Sequence, residues 1–412
     1  KKISPFRLSS LIRLQKDPLL AFELFIDPNP NETSRRSKPF RHSLLSYDRI
    51  ITKLGRAKLF PQLETVVRKL KDDRRVAPEE ILFCNVIKHY GRGGLPEEAV
   101  RTFEEIPAFR CRRTIRSVNT LLNSLLVCGE FGVAKEEAIA WVERYATPDS
   151  CTYNILMNAC FLRSDFVGAF KVFDEMRDRG LNPSVVTFGI LINGLCRNSQ
   201  LKTALRLKTR MESAEFNITP NAPIYVALIK GLCKANDFDR AVELKDEMVS
   251  KKLASDPAVY STLISAAFKL NRRNEVPGLL EEMKHNGCKP DTVTYNAIIH
   301  GHCESNEFDS AFRALSRMEQ GGGECKPDVI TYNVILAGLC RQGRLEDAKD
   351  LLNDMPRLGC RPDVVSYATM FEGLCDAKEF REAAEVLEEM VFKGYIPFSS
   401  RLCRNVDGFL SG

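Results

Sequence analysis

The chain lacks the long hydrophobic runs, the cysteine pairs and the phosphate-binding loop that mark several common classes of protein. No apolar stretch approaches the roughly 18 residues that a transmembrane helix needs, although 44% of the residues are hydrophobic. Neither a C-x-x-C pair nor a G-x-x-x-x-G-K-[ST] loop occurs, so the sequence carries no zinc-ribbon or P-loop signature. We therefore expect neither a membrane protein nor a P-loop enzyme.

Catalytic signatures are also missing. The zinc deaminases need an H-x-E together with a P-C-x-x-C, and no P-C-x-x-C occurs. The sequence His300-Gly301-His302-Cys303 looks like a metal cluster, but on a helix its two imidazoles point about 200° apart. We expect no catalytic residue, no metal site and no cofactor, and we predict that the chain is not an enzyme.

The sequence does contain a phrase that returns about every 35 residues. Thr152-Tyr153-Asn154 recurs as Thr294-Tyr295-Asn296 and Thr331-Tyr332-Asn333, and the aromatic positions from 153 to 367 are spaced 35, 37, 35, 35, 37 and 35 residues apart. Such a period predicts a solenoid, in which each repeat buries its apolar face against its neighbours. With position 1 placed three residues before the aromatic, the ten repeats are 44–79, 80–114, 115–149, 150–184, 185–221, 222–256, 257–291, 292–328, 329–363 and 364–398.

Each repeat is predicted to form two helices. In the repeat 150–184, two apolar stripes at helical spacing flank a turn at Ser164-Asp165, and Gly180 and Pro183 end the second helix. The sequence thus predicts an all-α, right-handed α-solenoid of about ten stacked helical hairpins. In the repeat 257–291, Arg273 and Val276-Pro277 replace the usual apolar residues, so we expect its second helix to start late or to pack loosely.

Fourteen cysteines are present, and their placement favours reduced structural thiols. A small, slightly apolar residue at one buried helical site explains their spacing better than disulfide bonds do. Five of them share repeat position 12: Cys196, Cys233, Cys303, Cys340 and Cys375.

The basic charge is concentrated at the N-terminal end. Residues 1–117 carry 25 Lys and Arg against 14 Asp and Glu, which leaves 35 against 40 for the rest of the chain. The first 16 residues contain five basic residues, three serines and no acid, which is typical of an organellar transit peptide. The same residues also fit a first, degenerate repeat, and both interpretations can hold. We divide the chain into a basic segment 1–43, the repeat array 44–398 and a C-terminal tail 399–412.

The repeated phrases resemble those of a known family. Val185-Val186-Thr187-Phe188, Asn193-Gly194-Leu195-Cys196 and the Pro-Asp-x-x-Thr/Ser-Tyr joins at 290–295, 327–332 and 362–367 are similar to pentatricopeptide repeats of the pure, 35-residue class of plant organelles. The resemblance is strong from 115 to 397 and weak before. Tetratricopeptide repeats have a similar period, but their Trp-x-x-Leu-Gly signature is missing. The resemblance implies binding of single-stranded RNA in a concave groove, with one nucleotide per repeat read 5′ to 3′ from the N-terminal end.

The resemblance also implies which residues read the bases, because the fifth residue of each repeat meets the base and the last residue tunes it. An Asn amide offers both donor and acceptor, and a carboxylate can orient it. Asn with Asp implies U, Asn with Ser implies C, and Ser with Asp implies G. The pairs that fit are Asn119/Asp149, Asn154/Ser184, Ser261/Asp291, Asn296/Asp328 and Asn333/Asp363.

Other repeats depart from this code. Gly189/Asn221 weakly implies A and Val226/Asp256 weakly implies U, whereas the pairs in the repeats 44–79, 80–114 and 364–398 imply no base. A structural alternative also exists, because Asp, Ser and Asn directly before a helix are favoured N-caps. The repetition of Asn at the fifth position favours base reading, since a helix cap does not require it there.

Two further rows complete the expected RNA surface. Apolar residues at position 2 would flank the bases: Val186, Val293, Ile330 and Val365. Cations at position 13 would follow the phosphate backbone, although a cation at a helix C-terminus also stabilises the helix dipole. These cations are Arg56, Arg92, Arg197, Lys234, Lys269 and Arg341.

The sequence therefore predicts a monomeric, sequence-specific binder of single-stranded RNA in organellar RNA metabolism. We expect it in the mitochondrion, with the chloroplast as the alternative, and organellar proteins are candidate partners. The rival prediction is a protein-interaction scaffold, such as a subunit associated with an organellar ribosome.

Overall fold

The computed structural model describes residues 3–28, 40–129, 135–253, 256–320 and 325–395, without the side chains of 135–138 and 320. Over these ranges every regular element is a helix, which confirms the all-α prediction. None of the described helices is long and apolar enough to cross a bilayer. The tail 399–412 and Phe398 lie outside the described residues.

The chain divides into two compact units, Lys1–Gly194 and Leu195–Gly412, with the boundary inside the eleventh helix. The helices up to this boundary are α1 (Pro5–Leu14), α2 (Pro18–Ile26), α3 (Leu44–Arg56), α4 (Phe60–Asp72), α5 (Glu80–Gly93), α6 (Pro96–Glu105), α7 (Ile115–Cys128), α8 (Lys135–Glu143), α9 (Ser150–Leu162), α10 (Phe166–Asp178) and α11 (Val185–Arg197). The helices that follow are α12 (Leu201–Glu212), α13 (Ala222–Lys234), α14 (Phe238–Ser250), α15 (Pro257–Lys269), α16 (Val276–His285), α17 (Thr292–Glu304), α18 (Phe308–Gln320), α19 (Val329–Arg341), α20 (Leu345–Asp354), α21 (Val364–Asp376) and α22 (Phe380–Phe392).

Within each compact unit, the repeats are helical hairpins in which the first helix, here helix A, contacts helix A of a neighbouring repeat. The A helices are the odd-numbered helices from α3 to α21, and helix B follows each of them. In the first compact unit α3 contacts α5, α5 contacts α7, and α7 contacts α9. In the second, α13, α15, α17, α19 and α21 follow one another in the same way. Within each unit, successive A helices thus form a continuous layer.

The close approach of the A helices depends on small residues. A Cβ added at Gly338 would lie 2.7 Å from the Cβ of Cys303 in the preceding repeat, and a Cβ at Gly373 would meet Cys340 at the same distance. This contact gives position 12 a packing role. The prediction of a buried cysteine there is confirmed for the first three of the five, and Cys340 and Cys375 are half-buried.

In four repeats, a buried tyrosine at position 4 connects helix A to helix B of the same repeat. Its hydroxyl hydrogen-bonds to a glutamate 22 residues later, a link that the sequence interpretation did not include. The four hydroxyl–carboxylate distances are 3.4 Å for Tyr153–Glu175, 2.9 Å for Tyr225–Glu247, 3.5 Å for Tyr260–Glu282 and 3.1 Å for Tyr367–Glu389.

The helices α1 and α2 form a hairpin that packs on α3. Leu8, Ile12 and Phe25 are fully buried in the same apolar cluster as the first repeat. The Arg49 guanidinium of α3 donates to the Ser9 carbonyl at 2.6 Å. This packing fits the interpretation of the N-terminal segment as a degenerate repeat.

The irregular repeat 257–291 shows the late helix start expected from its sequence. A 3-10 turn at Arg273–Glu275 precedes α16, which begins only at Val276. Pro277 lies in the first turn of α16, where its missing N–H breaks no hydrogen bond. The expected loose packing is not seen, because Val276, Leu279 and Met283 are buried.

Candidate nucleic-acid interface

The side chain of Asn119 is held by two residues at the start of the next helix A. Its Nδ2 donates to Asp149 Oδ1 at 2.9 Å, and its Oδ1 accepts from the Thr152 hydroxyl at 2.8 Å. Asn119 is only 7% exposed. The first bond uses one of the two hydrogens on Nδ2, and the second uses one of the two lone pairs on Oδ1. One donor and one acceptor of the amide are therefore left for a ligand.

Asn333 has the same arrangement in the second compact unit. Its Nδ2 donates to Asp363 Oδ1 at 3.1 Å, and its Oδ1 accepts from the Ser366 hydroxyl at 2.6 Å. Burial alone would raise the pKa of the Asp363 carboxyl, but hydrogen bonds from Ser366 and Asn333 outweigh burial and lower it. The carboxylate is therefore ionised at neutral pH and is a strong acceptor for the amide.

The other two fifth-position asparagines are not held in this way. The Oδ1 atoms of Asn154 and Asn296 are buried and have no hydrogen-bond partner among the described residues. In the first case the last residue is Ser184 and not an aspartate. In the second, the Thr331 hydroxyl bonds to Asp328 Oδ1 at 2.9 Å. The structure thus separates the four asparagines into two held amides and two with an unpaired oxygen.

The fifth-position residues of the repeats 185–221, 222–256 and 257–291 show no such contact. Ser261 is buried, and its hydroxyl donates to the Ala258 carbonyl of its own helix at 3.2 Å. Gly189 and Val226 are half-buried and carry no polar side-chain group. For these three repeats, no hydrogen bond within the described ranges joins the fifth residue to the last.

The last residues of the repeats are helix caps, as the structural alternative expects. Asp149, Asp328 and Asp363 each cap the next helix A in a reciprocal capping box. Asp291 and Asn221 also accept from the third residue of their helices, whereas Asp256 accepts from Ala258. For Asp149 and Asp363, capping and asparagine binding occur through the same oxygen, so the two roles are compatible.

Aliphatic side chains at position 2 protrude from helix A. Val186, Val293, Ile330 and Val365 are between 56% and 63% exposed, which is unusual for residues of this kind. Leu45 and Ile81 occupy the same position in the first two repeats and are also exposed, although the sequence interpretation passed over them. Their position in the repeat was the signal that would have identified them.

The cations at position 13 lie at or near the C-terminal ends of the A helices. All six are exposed: Arg56, Arg92, Arg197, Lys234, Lys269 and Arg341. Arg341, however, forms an ion pair with Glu304, which occupies position 13 of the preceding repeat. Two aliphatic residues, Val127 and Leu162, are exposed at position 13 of the repeats 115–149 and 150–184. The basic row is therefore interrupted in both compact units.

In the sequence His300-Gly301-His302, the second histidine contacts an acidic and an aromatic side chain. His302 Nδ1 lies 2.9 Å from Glu307 Oε2, and its ring contacts Phe268 edge-on. No group of three or more metal-binding side chains is found in the part of the chain that the structure describes.

Family models match most of the chain. The PPR repeat family model matches residues 148–197, 290–340 and 327–376, and the pentatricopeptide repeat domain model matches 243–304. Two PPR repeat models match 216–249 and the segments 81–111, 186–216 and 365–395.

Similar proteins come from Arabidopsis thaliana. A pentatricopeptide repeat-containing protein is 48% identical over 244 residues, which cover 50% of this chain and 51% of that protein. The chain thus spans about half the length of this relative. The small ribosomal subunit protein mL103 is 25% identical over 320 residues, covering 77% of this chain and 67% of that protein. A mitochondrial pentatricopeptide repeat-containing protein is 32% identical over 179 residues, or 43% of this chain and 32% of that protein.

Two solved structures are similar along the chain. The maize pentatricopeptide repeat protein PPR10 is 20% identical, with 98% of this chain and 66% of that chain covered and a TM-score of 0.46. Yeast Rmd9p in complex with a 16-nucleotide target RNA is 15% identical, with 98% and 84% covered and a TM-score of 0.45.

Proposed function

Because the chain belongs to the pentatricopeptide repeat family, we propose that it binds single-stranded RNA along its A helices, one nucleotide per repeat. The observation that carries the proposal is the pair of held amides at Asn119 and Asn333. Each presents a fixed donor and acceptor on a helix whose position-2 side chain is exposed. A base edge can meet the amide while an aliphatic side chain such as Ile330 or Val365 packs on the base.

The repeat length and the names of similar proteins support an assignment to a class of the family and to an organelle. Most repeats span 35 residues, so we place the chain in the pure class of the family. Several relatives bear mitochondrial names, which supports a mitochondrial location over a chloroplast one. The protein acts as a monomer in organellar RNA metabolism and without chemistry of its own. It acts by covering the RNA, because a bound single strand can neither pair nor be cut. The position-13 cations contact phosphates, except that Arg341 is paired with Glu304.

The test uses a short single-stranded RNA with the core 5′-UCAUGUU-3′, which the code assigns to the repeats from 115–149 to 329–363. Asn333→Thr keeps Asp363 but removes the amide, and the shorter hydroxyl leaves room for a purine. Loss of one base contact costs about 1–3 kcal/mol, or roughly tenfold to over a hundredfold in affinity. The variant should lose this affinity for the core and regain most of it when the last U is replaced by G.

The control is Asn353→Thr, the same chemical change on the exposed face of α20 in the same repeat. It should bind both RNAs as the unmodified protein does. If Asn333→Thr binds the U and G ligands in the unmodified ratio, this repeat does not read a base. Equal binding of duplex RNA would contradict the proposal as a whole.

A protein-interaction scaffold is the second candidate. The similarity to a ribosomal protein favours it, as does the excess of acidic residues after residue 117. The two functions differ in salt dependence, because each phosphate contact contributes a log–log slope of about −0.7 for a single strand. RNA binding that does not weaken with salt, or no binding at all, would favour the scaffold.

A further inference from the structure

In two repeats, the hydroxyl at position 3 hydrogen-bonds to the fifth-position amide of the repeat before it. Thr152 Oγ1 lies 2.8 Å from Asn119 Oδ1, and Ser366 Oγ lies 2.6 Å from Asn333 Oδ1. Both hydroxyl-bearing residues are fully buried. We propose that Thr152 and Ser366 are positioning residues that fix the amide orientation of the preceding asparagine and so determine its choice between uracil and cytosine. This inference rests on the RNA-binding function proposed above.

The hydroxyl of Thr152 can donate a hydrogen bond to the Asn119 amide because the capping carboxylate of Asp149 already accepts two others. Asp149 Oδ1 receives the Thr152 N–H at 2.8 Å and the Asn119 amide at 2.9 Å. The hydroxyl accepts the Asp149 N–H at 3.2 Å and has a single hydrogen to donate. Although Asp149 Oδ1 is within 2.9 Å of it, that oxygen already has two donors, whereas Asn119 Oδ1 has no other described partner. The Thr152 hydroxyl therefore donates its hydrogen to Asn119 Oδ1.

Fixing both ends of the amide has a consequence for base choice. The carboxylate holds the nitrogen and the hydroxyl holds the oxygen, so the amide cannot turn over and exchange its donor with its acceptor. Uracil presents an N3–H donor beside a carbonyl, and cytosine presents an N3 acceptor beside an amino group, so the two pyrimidines require opposite orders. An amide with a fixed orientation discriminates between them, and one that can turn over accommodates both.

The chain contains its own control at Thr331. This hydroxyl makes the same cap contacts as Thr152, accepting the Asp328 N–H at 3.2 Å and lying 2.9 Å from Asp328 Oδ1. It does not bond to Asn296, whose Oδ1 has no described partner. Thr152→Val and Thr331→Val therefore both remove the acceptor of the N-cap N–H. The donated hydrogen bond that is lost goes to the Asn119 amide in the first variant and to the capping carboxylate of Asp328 in the second.

The experiment compares the 5′-UCAUGUU-3′ core with RNAs in which the first or the sixth base is C. The unmodified protein should prefer U over C more strongly at the first base than at the sixth. Loss of a hydrogen bond of about 0.5–1.5 kcal/mol changes an equilibrium about two- to tenfold, so Thr152→Val should reduce the U/C ratio at the first base by that factor. Thr331→Val should leave the ratio at the sixth base unchanged. Thr152→Ser, which keeps the hydroxyl, should retain the unmodified ratio.

The measured quantity is the ratio of the affinities for the U- and C-containing RNAs, because a structural defect would weaken the binding of both RNAs alike. If Thr152→Val does not fold, Ser366→Ala tests the same inference at the seventh base with a smaller change. An unmodified U/C ratio in Thr152→Val, or an equal loss in Thr331→Val, would overturn the role of the hydroxyl. If the unmodified protein does not bind the core RNA, the RNA-binding function itself fails, and this result is distinct from the first.

Discussion

Replacing Glu247 with glutamine should lower the free energy of unfolding by about 1–2 kcal/mol at neutral pH. The Glu247 carboxylate accepts from Lys208 at 2.6 Å, from the Tyr225 hydroxyl at 2.9 Å and pairs with Lys251 at 2.8 Å. Lys208 is buried and comes from helix B of the preceding repeat. Glutamine keeps the shape and one acceptor but removes the charge, so that Glu212 is left as the carboxylate paired with both cations.

The magnitude follows from the carboxylate's pKa. Burial raises the pKa of Glu247, but hydrogen bonds from Lys208, Lys251 and Tyr225 lower it from 4.5 to about 2. That difference corresponds to roughly 3 kcal/mol at about 1.4 kcal/mol per pKa unit. Because the Glu247 side chain is 32% exposed, solvent screening reduces the figure to about 1–2 kcal/mol.

The lowered pKa also predicts how the stability difference between the two proteins changes with pH. Since the folded-state pKa of Glu247 is lowered, its stabilisation is complete above pH 4.5 and is lost as the pH falls toward 2. Glutamine resembles the protonated acid, so the difference between the two proteins should be largest near pH 7 and shrink below pH 4.5. Urea unfolding followed by circular dichroism at pH 7 and pH 3 measures it. Glu243→Gln, an exposed glutamate one turn earlier, is the control, and an equal effect of both variants would refute the reasoning.

Two further predictions concern packing and charge. Gly338→Ala should destabilise the fold by about 1–3 kcal/mol, because the new Cβ would lie 2.7 Å from Cys303; Gly231→Ala, where the nearest atom is 3.2 Å away, should cost less in the same urea experiment. Glu304→Gln frees Arg341 from its ion pair and should steepen the log–log salt dependence of RNA binding by about 0.7, whereas an unchanged slope would mean that this arginine does not reach a phosphate.

The helical hairpins could be predicted because the signal repeats. The aromatic at position 4 and the glycine after helix B return in many copies, so each copy supports the others. The late start of α16 could also be predicted, because Pro277 and Arg273 break the pattern locally. The link from Tyr225 to Glu247 left no consistent signal: Phe83 is followed 22 residues later by Glu105, whereas Tyr295 is followed by Arg317.

The hydrogen bonding of the fifth-position amides could not be predicted. Asn333 with Asp363 and Asn296 with Asp328 have the same residues at the fifth and last positions, and a hydroxyl follows three residues later in both. The structure nevertheless joins the first pair and leaves Asn296 Oδ1 without a described partner. A hydrogen bond requires a donor–acceptor distance of about 2.7–3.2 Å, and a residue pattern does not record such distances.

The contact between Asn119 and Thr152 changes where one module of this protein ends. A graft of residues 115–149 into another array would import the asparagine and its aspartate but would inherit whatever residue the host has at position 3 of the following repeat. In a host without a hydroxyl at that position, the transplanted asparagine amide would be held at one end only. A self-sufficient module instead runs from the fifth residue of one repeat to the third of the next, as in residues 119–152. Crossover points for chimeric arrays therefore belong inside the first turn of helix A, after position 3 and before position 5.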